Sequence, residues 1–302
     1  MRVYSGIDRI PSGQASEDLI EGCLVLEGGA FRGLYTQGFL DAMMENGLNL
    51  SAVIGVSAGA LGGVNYAAGQ IGRSARINLT YRHDSRYVGL RAFLKSRSIL
   101  DVSFLTEDRG VLEPLDEKRF MDPKRRFVAV ATDCLSGKTA YFEKGNCADI
   151  GEILLAVRAS ATMPYISPPV YINGRPYFDG GCSCKIPYQW AMDNGYRKIV
   201  VIRTREASFR RQDSGRRGAE KIYRRKYPLL AEVLSRETEI YNRQLEETTK
   251  LDREGRMLVF CPSEEREIDL VEKDMEKLGS LYCLGRSDCL ASLEKLRDYL
   301  DA

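Results

Sequence analysis

The chain has 302 residues, is 44% hydrophobic and carries a formal net charge of +2. This suits one large globular domain or two small ones, with enough length to bury a sizeable core. A charge so near zero gives no bulk attraction to nucleic acid. The eight cysteines are too sparse for a disulfide scaffold. Cys182-Ser183-Cys184 has no second cysteine or histidine pair to complete a zinc spacing. Free cysteines in a reducing cytoplasm are expected, with no metal or cofactor.

The N-terminal stretch "MRVYSGIDRIPSGQASEDL" holds no apolar run of signal-peptide length, because Asp8 and Pro11 interrupt it. In "LVLEGGAFRG", Leu24 to Leu26 predicts a buried strand and Leu34 to Glu45 a helix. Gly28, Gly29 and Gly33 punctuate the join. Such a loop offers backbone N–H groups with no side chain in the way, which suits an oxyanion or a phosphate. A dinucleotide fingerprint would need glycine at position 30 and an acid near the end of the next strand. Ala30 stands there, and "LNLSAVIGVS" has no acid. A packing turn without chemistry remains the plainer alternative.

No charged residue occurs from Asn46 to Gly72, a length that could span a bilayer. Glycines at 55, 59, 62, 63, 69 and 72, with Asn49, Ser57 and Asn65, oppose that reading. A buried strand, Ala52 to Val56, a turn and a helix of small residues fit better. The turn, Gly55-Val56-Ser57-Ala58-Gly59, is a G-x-S-x-G. A serine at such a strand-to-helix apex has a strained backbone and a side chain held into open space, with small neighbours where strand and helix pass. Ser57 then lies at a helix N-terminus, which favours developing negative charge.

A nucleophilic serine needs a base. The one histidine, His83, follows Ser57 closely within the polar run "TYRHDSRY" and is expected at the surface, so a carboxylate base is indicated. Further on, Asn173-Gly174 between two apolar runs signals a hairpin. It would deliver Asp179, followed by Gly180-Gly181, where the chain can bend sharply. A loop-capping aspartate is the alternative. Tyr188 to Asn194 predicts a helix and "RKIVVIRT", 197–204, another buried strand, an α–β unit of a parallel sheet.

Arg203 to Lys226 contains ten Lys or Arg against three acids. Leaving the C-terminal end of a strand, it is expected on the ligand side of the sheet, where it would draw anionic lipid head groups. A solvated insertion is the alternative, and the segment lacks an aromatic platform for RNA. Pro228 to Glu254 predicts one helix with a face including Leu230, Leu234, Glu237, Tyr241 and Leu245. Gly255 stops it, 256–262 predicts a strand, and 271–300 a helical tail that would serve as a lid, an oligomer contact or the last layer of the fold.

Taken together, Gly28-Gly29-Ala30-Phe31-Arg32-Gly33, Gly55-Val56-Ser57-Ala58-Gly59, Asp179-Gly180-Gly181 and "RASATMPYISPPVYINGRPYFDGG", 158–181, resemble the patatin-like phospholipases. The resemblance covers roughly residues 22–204. Glu27, ahead of the glycines, resembles a bacterial branch with an extra C-terminal segment, here 205–302. The resemblance implies an α/β fold, a three-layer α/β/α sandwich with a mostly parallel central sheet. It implies Ser57 as nucleophile and Asp179 as general base, without histidine. The N–H groups of the 28–33 loop, with Arg32 close by, would form the oxyanion hole. The family usually has a third glycine where this chain has Ala30. Alanine keeps the donor but resists positive φ, so a slightly reshaped loop is expected. The implied activity is hydrolysis of lipid esters through an acyl-serine, in the cytoplasm or peripheral to the inner membrane face. The alternative is a non-catalytic lipid-binding or regulatory protein on the same fold.

Overall fold

A computed structural model describes residues 2–88, 113–212, 218, 221–269 and 271–301. The elements in chain order are β1 (Gly13–Gln14), β2 (Ile20–Leu26), α1 (Gly33–Glu45), β3 (Leu50–Val56), α2 (Ala58–Ala67), β4 (Gln70–Ile71), α3 (Arg73–Tyr81), α4 (Glu117–Phe120), β5 (Arg126–Asp133) and β6 (Thr139–Glu143). Then come α5 (Ile150–Ser160), β7 (Val170–Ile172), β8 (Arg175–Asp179), α6 (Tyr188–Asp193), β9 (Ile199–Ile202), α7 (Lys221–Arg224), α8 (Pro228–Ser235), α9 (Glu237–Arg253), β10 (Leu258–Phe260), α10 (Met275–Ala291) and α11 (Leu293–Asp301).

The main sheet runs β10-β9-β2-β3-β5-β8-β7, with β6 also paired to β5. From β10 to β5 every pairing is parallel, and β6, β7 and β8 pair antiparallel. The central strands are apolar on both sides, as a sheet covered on both faces requires. Leu24, Leu26 and Val53 point into one core with α1, α5 and α10. Cys23, Val25 and Ile54 point into the other, with α6 and α9. The result is the expected three-layer α/β/α sandwich.

The tail forms the last layer on one face. Helix α10 lies directly on α1, and the approach is close because both carry glycine at the crossing. A Cβ on Gly38 would fall 2.1 Å from the Tyr282 carbonyl oxygen, and one on Gly285 2.0 Å from that of Tyr35. The Tyr282 hydroxyl donates to Asp41 at 2.8 Å, inside a core that pushes the Asp41 carboxyl up to about 7 by burial.

The helix expected over 228–254 is broken at Arg236 into α8 and α9. The break has a packing reason. Leu230 belongs to a cluster with Phe178 and Tyr227, whereas Tyr241 and Leu245 belong to the core under the sheet. One straight helix cannot present its apolar stripe to both. All eight cysteines are free. No helix among the described residues is long and apolar enough to cross a membrane.

Candidate active site

The sheet register brings the candidate residues together. Val56 of β3 pairs with Val130 of β5, and the next β5 residue, Ala131, pairs with Asp179 of β8. Ser57 and Asp179 therefore sit at one level on either side of β5, two strand spacings or about 10 Å apart by backbone. Their side chains narrow that gap, and the Ser57 hydroxyl lies close enough to the Asp179 carboxylate to favour its charged form. The carboxylate accepts a hydrogen bond from the Gly181 N–H at 2.7 Å. Gly180 lets the chain fold over β5, since a Cβ there would fall 2.3 Å from the Val130 carbonyl oxygen. The hairpin that delivers Asp179 turns through Asn173 and Gly174, both at positive φ, the two-residue form that matches strand twist.

Ser57 has φ 54° and ψ −119°, backbone strain that persists only where the surroundings enforce it. Its N–H is tied to the Ser160 hydroxyl at 2.8 Å. On either side, Gly55 and Gly59 admit the crossing of β3, α2 and β2. A Cβ on Gly59 would fall 2.5 Å from the Leu26 carbonyl oxygen, and one on Gly55 2.5 Å from the Gly59 backbone. The small neighbours expected from the pattern are thus a steric requirement here.

The loop after β2 lies against Ser57. A Cβ on Gly28 would be 3.2 Å from the Ser57 Cβ. The Gly28 N–H is committed weakly to the Lys185 carbonyl at 3.4 Å, whereas those of Gly29 and Ala30 have no partner among the described residues. Ala30 to Arg32 form a short 3₁₀ turn leading into Gly33 and α1. Ala30 takes φ 49°, so the alanine adopts the glycine-type conformation at a cost in backbone strain. Arg32 is largely buried. Burial and the nearby Arg205 pull its guanidinium below the usual arginine range, and it donates to the Ile268 carbonyl at 3.3 Å.

Burial dominates the electrostatics of Asp179. The residue is 7% exposed, and the desolvated carboxylate has its proton affinity raised, although the Ser57 hydroxyl, the Gly181 N–H and Lys185 oppose the rise. His83 is half-buried at the surface. Its Nε2 sits 2.9 Å from the Lys273 carbonyl oxygen, and it lines neither cleft that contains Ser57.

Two clefts meet at Ala30, Ser57, Met163 and Ile166. One is mainly apolar, lined by Phe31, Leu34, Leu61, Val88 and Val271 among others. Two of its polar members, Asn78 and Tyr87, satisfy each other at 2.8 Å. The other is lined by Asp179, Arg32, Lys185, Arg211 and Glu237 among others. Glu237 bridges Lys185 at 3.1 Å and Arg211 at 2.6 Å. Burial alone would raise its carboxyl, but the two cations outweigh that and hold it below the usual range.

Helix α9 supplies a row of contacts that the sequence pattern did not single out. Besides Glu237, the Tyr241 hydroxyl donates to the buried Glu27 carboxylate, which also accepts the Thr204 N–H at 2.5 Å. Gln244 accepts the Lys185 N–H at 3.0 Å. The helix thereby holds both the loop ahead of Gly28 and the loop after Asp179. Their spacing, 237, 241 and 244, is one helical face, but nothing local marks partners some 60 or 200 residues away.

The basic segment is divided. Arg203, expected at the rim, is 1% exposed, because its N–H continues the sheet to Phe260 at 2.8 Å and its guanidinium reaches Thr249 at 3.2 Å. Arg211 does reach the cleft. Arg210, Lys221 and Arg224 to Lys226 are exposed, and Arg216 and Arg217 lie outside the described residues.

A model of the patatin-like phospholipases matches residues 24–192, and a domain of unknown function, DUF6363, matches 227–301. The uncharacterized protein YjjU of Escherichia coli is 30% identical over 188 residues, 60% of this chain and 51% of YjjU. Lysophospholipase NTE1 of Cryptococcus neoformans is 28% identical over 182 residues, 59% of this chain and 11% of that protein. The chain thus spans about half of YjjU and a small part of NTE1. The crystal structure of VipD from Legionella pneumophila superposes with a TM-score of 0.51 over 94% of this chain and 68% of that one, at 14% identity, a likeness of fold. With the family model covering more than half of its length, this chain belongs to the patatin-like phospholipases.

Proposed function

We propose that the protein hydrolyses carboxylic esters of lipids through an acyl-Ser57 intermediate, with Asp179 as general base. The observation that carries this reading is the Ser57 hydroxyl beside a buried carboxylate of raised proton affinity, at the seam of an apolar and a charged cleft. A free aspartate, with a pKa of about 3.9, is a poor base; burial makes Asp179 a better one. As Ser57 attacks the carbonyl carbon, its proton passes to Asp179. The oxyanion forms beside the free N–H groups of Gly29 and Ala30, where one such donor typically lowers the barrier by about 3 kcal/mol. Asp179 then returns the proton to the departing alcohol, and a water, deprotonated in turn by Asp179, cleaves the acyl-serine.

The acyl chain fits the apolar cleft and the head group the charged one. A single-chain lipid meets both demands, in keeping with the lysophospholipase name of the Cryptococcus relative. The test is labelling with a fluorophosphonate probe alongside hydrolysis of a short-chain ester and of lysophospholipid. Wild type is expected to be labelled at Ser57 and active, and Ser57→Ala to be neither. An inactive, unlabelled wild type would favour a lipid-binding role on the same fold.

A further inference from the structure

Large apolar side chains are unevenly spread over the exposed surface. Of the eight that are exposed among the described residues, Leu135, Tyr165, Tyr171, Ile222 and Leu229 fall on one face. Contacts tie them together. The Tyr165 N–H donates to the Tyr223 hydroxyl at 2.7 Å, with ring centroids 5.2 Å apart. Tyr171 lies near enough to Tyr227 to raise the proton affinity of its hydroxyl. The Leu229 carbonyl abuts Gly137, in the turn that carries Leu135. Ile222, on α7 beside Tyr223, is 71% exposed.

The same stretch, "KIYRRKYPLL", 221–230, holds Lys221, Arg224, Arg225 and Lys226, all exposed, and no acid. Asp133, next to the Leu135 turn, is already paired with Arg175 at 2.5 Å; in sequence the stretch is flanked by Glu220, which lies outside the described residues, and by Glu232. The face is anchored from below, where Tyr223 packs on Phe178 at 5.5 Å and Tyr227 and Leu230 join the same cluster. Phe178 precedes Asp179, and Tyr165 lines the charged cleft. Tyr165 itself is held at φ 69°, a conformation a bulky residue adopts only when its neighbours impose it.

We propose that this face, built on α7 and the start of α8 with Tyr165, Tyr171 and Leu135, docks on an anionic lipid bilayer with the charged cleft turned toward it. Charge selects the occupant. Four basic side chains that form no ion pair among the described residues, set among exposed apolar groups, complement a negative surface, and the apolar groups enter the head-group layer as those of interfacial segments do. Docking would let a lipid move into the seam at Ser57 without crossing open water. What the docked protein acts on rests on the reading above, but the docking itself does not.

The experiment uses Ser57→Ala protein, so that lipid is not consumed. It is sedimented with vesicles of phosphatidylcholine alone and of phosphatidylcholine with phosphatidylglycerol at two to one. Binding to the anionic vesicles is expected, weaker on pure phosphatidylcholine, and falling as salt shortens the field. Two paired substitutions, Ile222→Asp with Leu229→Asp and Arg224→Glu with Arg225→Glu, should each weaken partitioning on the order of tenfold or more, at roughly fivefold per basic residue. Made with Ser57 intact, the same pairs should hydrolyse a soluble ester at the wild-type rate, or, if the protein proves inactive, melt at the wild-type temperature. The inference is overturned by absence of binding to anionic vesicles, by binding that survives either pair, or by lipid-free self-association that the Ile222 and Leu229 pair dissolves.

Discussion

Asp179→Asn should raise stability at neutral pH while abolishing most of the activity. The substitution keeps the shape of the side chain and its acceptor for the Gly181 N–H, 2.7 Å away, and removes the charge. In the folded protein the carboxyl has its proton affinity raised, first by burial, whereas in the unfolded chain it titrates near 3.9. The folded state therefore holds the proton to higher pH. Stability that is complete below the unfolded value is lost as pH rises through the folded one, at about 1.4 kcal/mol for every tenfold gain in proton affinity. Asparagine escapes that loss. Asp41, pushed up to about 7 by burial, carries the same sign but is common to both proteins and cancels in the comparison. Denaturant unfolding from pH 3.5 to 8.5 should give equal stabilities at the acid end and a variant that is the more stable at the alkaline end. Loss of a general base typically costs 10²- to 10⁴-fold, about 3 to 5 kcal/mol of barrier, read with a soluble ester. An Asp179→Asn protein less stable than wild type at pH 8.5 would refute the claim that desolvation dominates this carboxylate.

Other expectations follow from the same geometry. His83→Ala should retain ester hydrolysis within a few-fold, since the ring bonds the Lys273 carbonyl; an inactive variant would restore a histidine triad. Ala30→Gly should keep activity and gain about 1 kcal/mol in urea unfolding, because a left-handed alanine costs about 1–2 kcal/mol, partly offset by glycine's greater unfolded freedom; a loss would mean the alanine methyl is needed. Gly59→Ala should lose about 1–3 kcal/mol through overpacking against the Leu26 carbonyl, and an unchanged melting curve would contradict that steric reading. Tyr241→Phe should cost about 1–3 kcal/mol by stripping a donor from buried Glu27. It should also lower kcat more than it raises KM if α9 positions the Gly28 loop, a split that a purely structural role would not produce.

The most legible parts of the sequence were those in which chemistry and sterics act over a few residues. Gly55 to Gly59 reveals the elbow because strand and helix must cross within five positions, and Asn173-Gly174 reveals the hairpin because only such pairs take that turn readily. The strands expected at Leu24–Leu26 and Ala52–Val56 begin a few residues earlier, because Ile20 and Glu21 of β2 and Ser51 of β3 are less buried and interrupt the apolar runs. Pairings across the fold were not legible. Ser160 holding the Ser57 N–H, Tyr241 on Glu27 and Glu237 between Lys185 and Arg211 join distant segments without a local sign. Arg203 misleads for a related reason. It opens a basic run, yet it is one residue beyond β9 and still part of the sheet. The break at Arg236 follows from two cores lying on different sides of one apolar stripe, which periodicity alone cannot separate.

The order of strands has a consequence for modularity. The patatin match ends at residue 192, before β9, and the DUF6363 match begins at 227. Yet β9 pairs directly with β2, the strand that leads into Glu27 and Gly28, and β10 covers β9 in turn. A fragment cut at the recognised boundary would turn β2 into an edge strand, apolar on both faces, with a row of unpaired backbone groups. Such an edge recruits other chains and aggregates. The two matched regions are thus not interchangeable cassettes. Any segment grafted in place of 193–301 would have to bring its own parallel strands to close the sheet, and a helix to grip the loops beside Ser57.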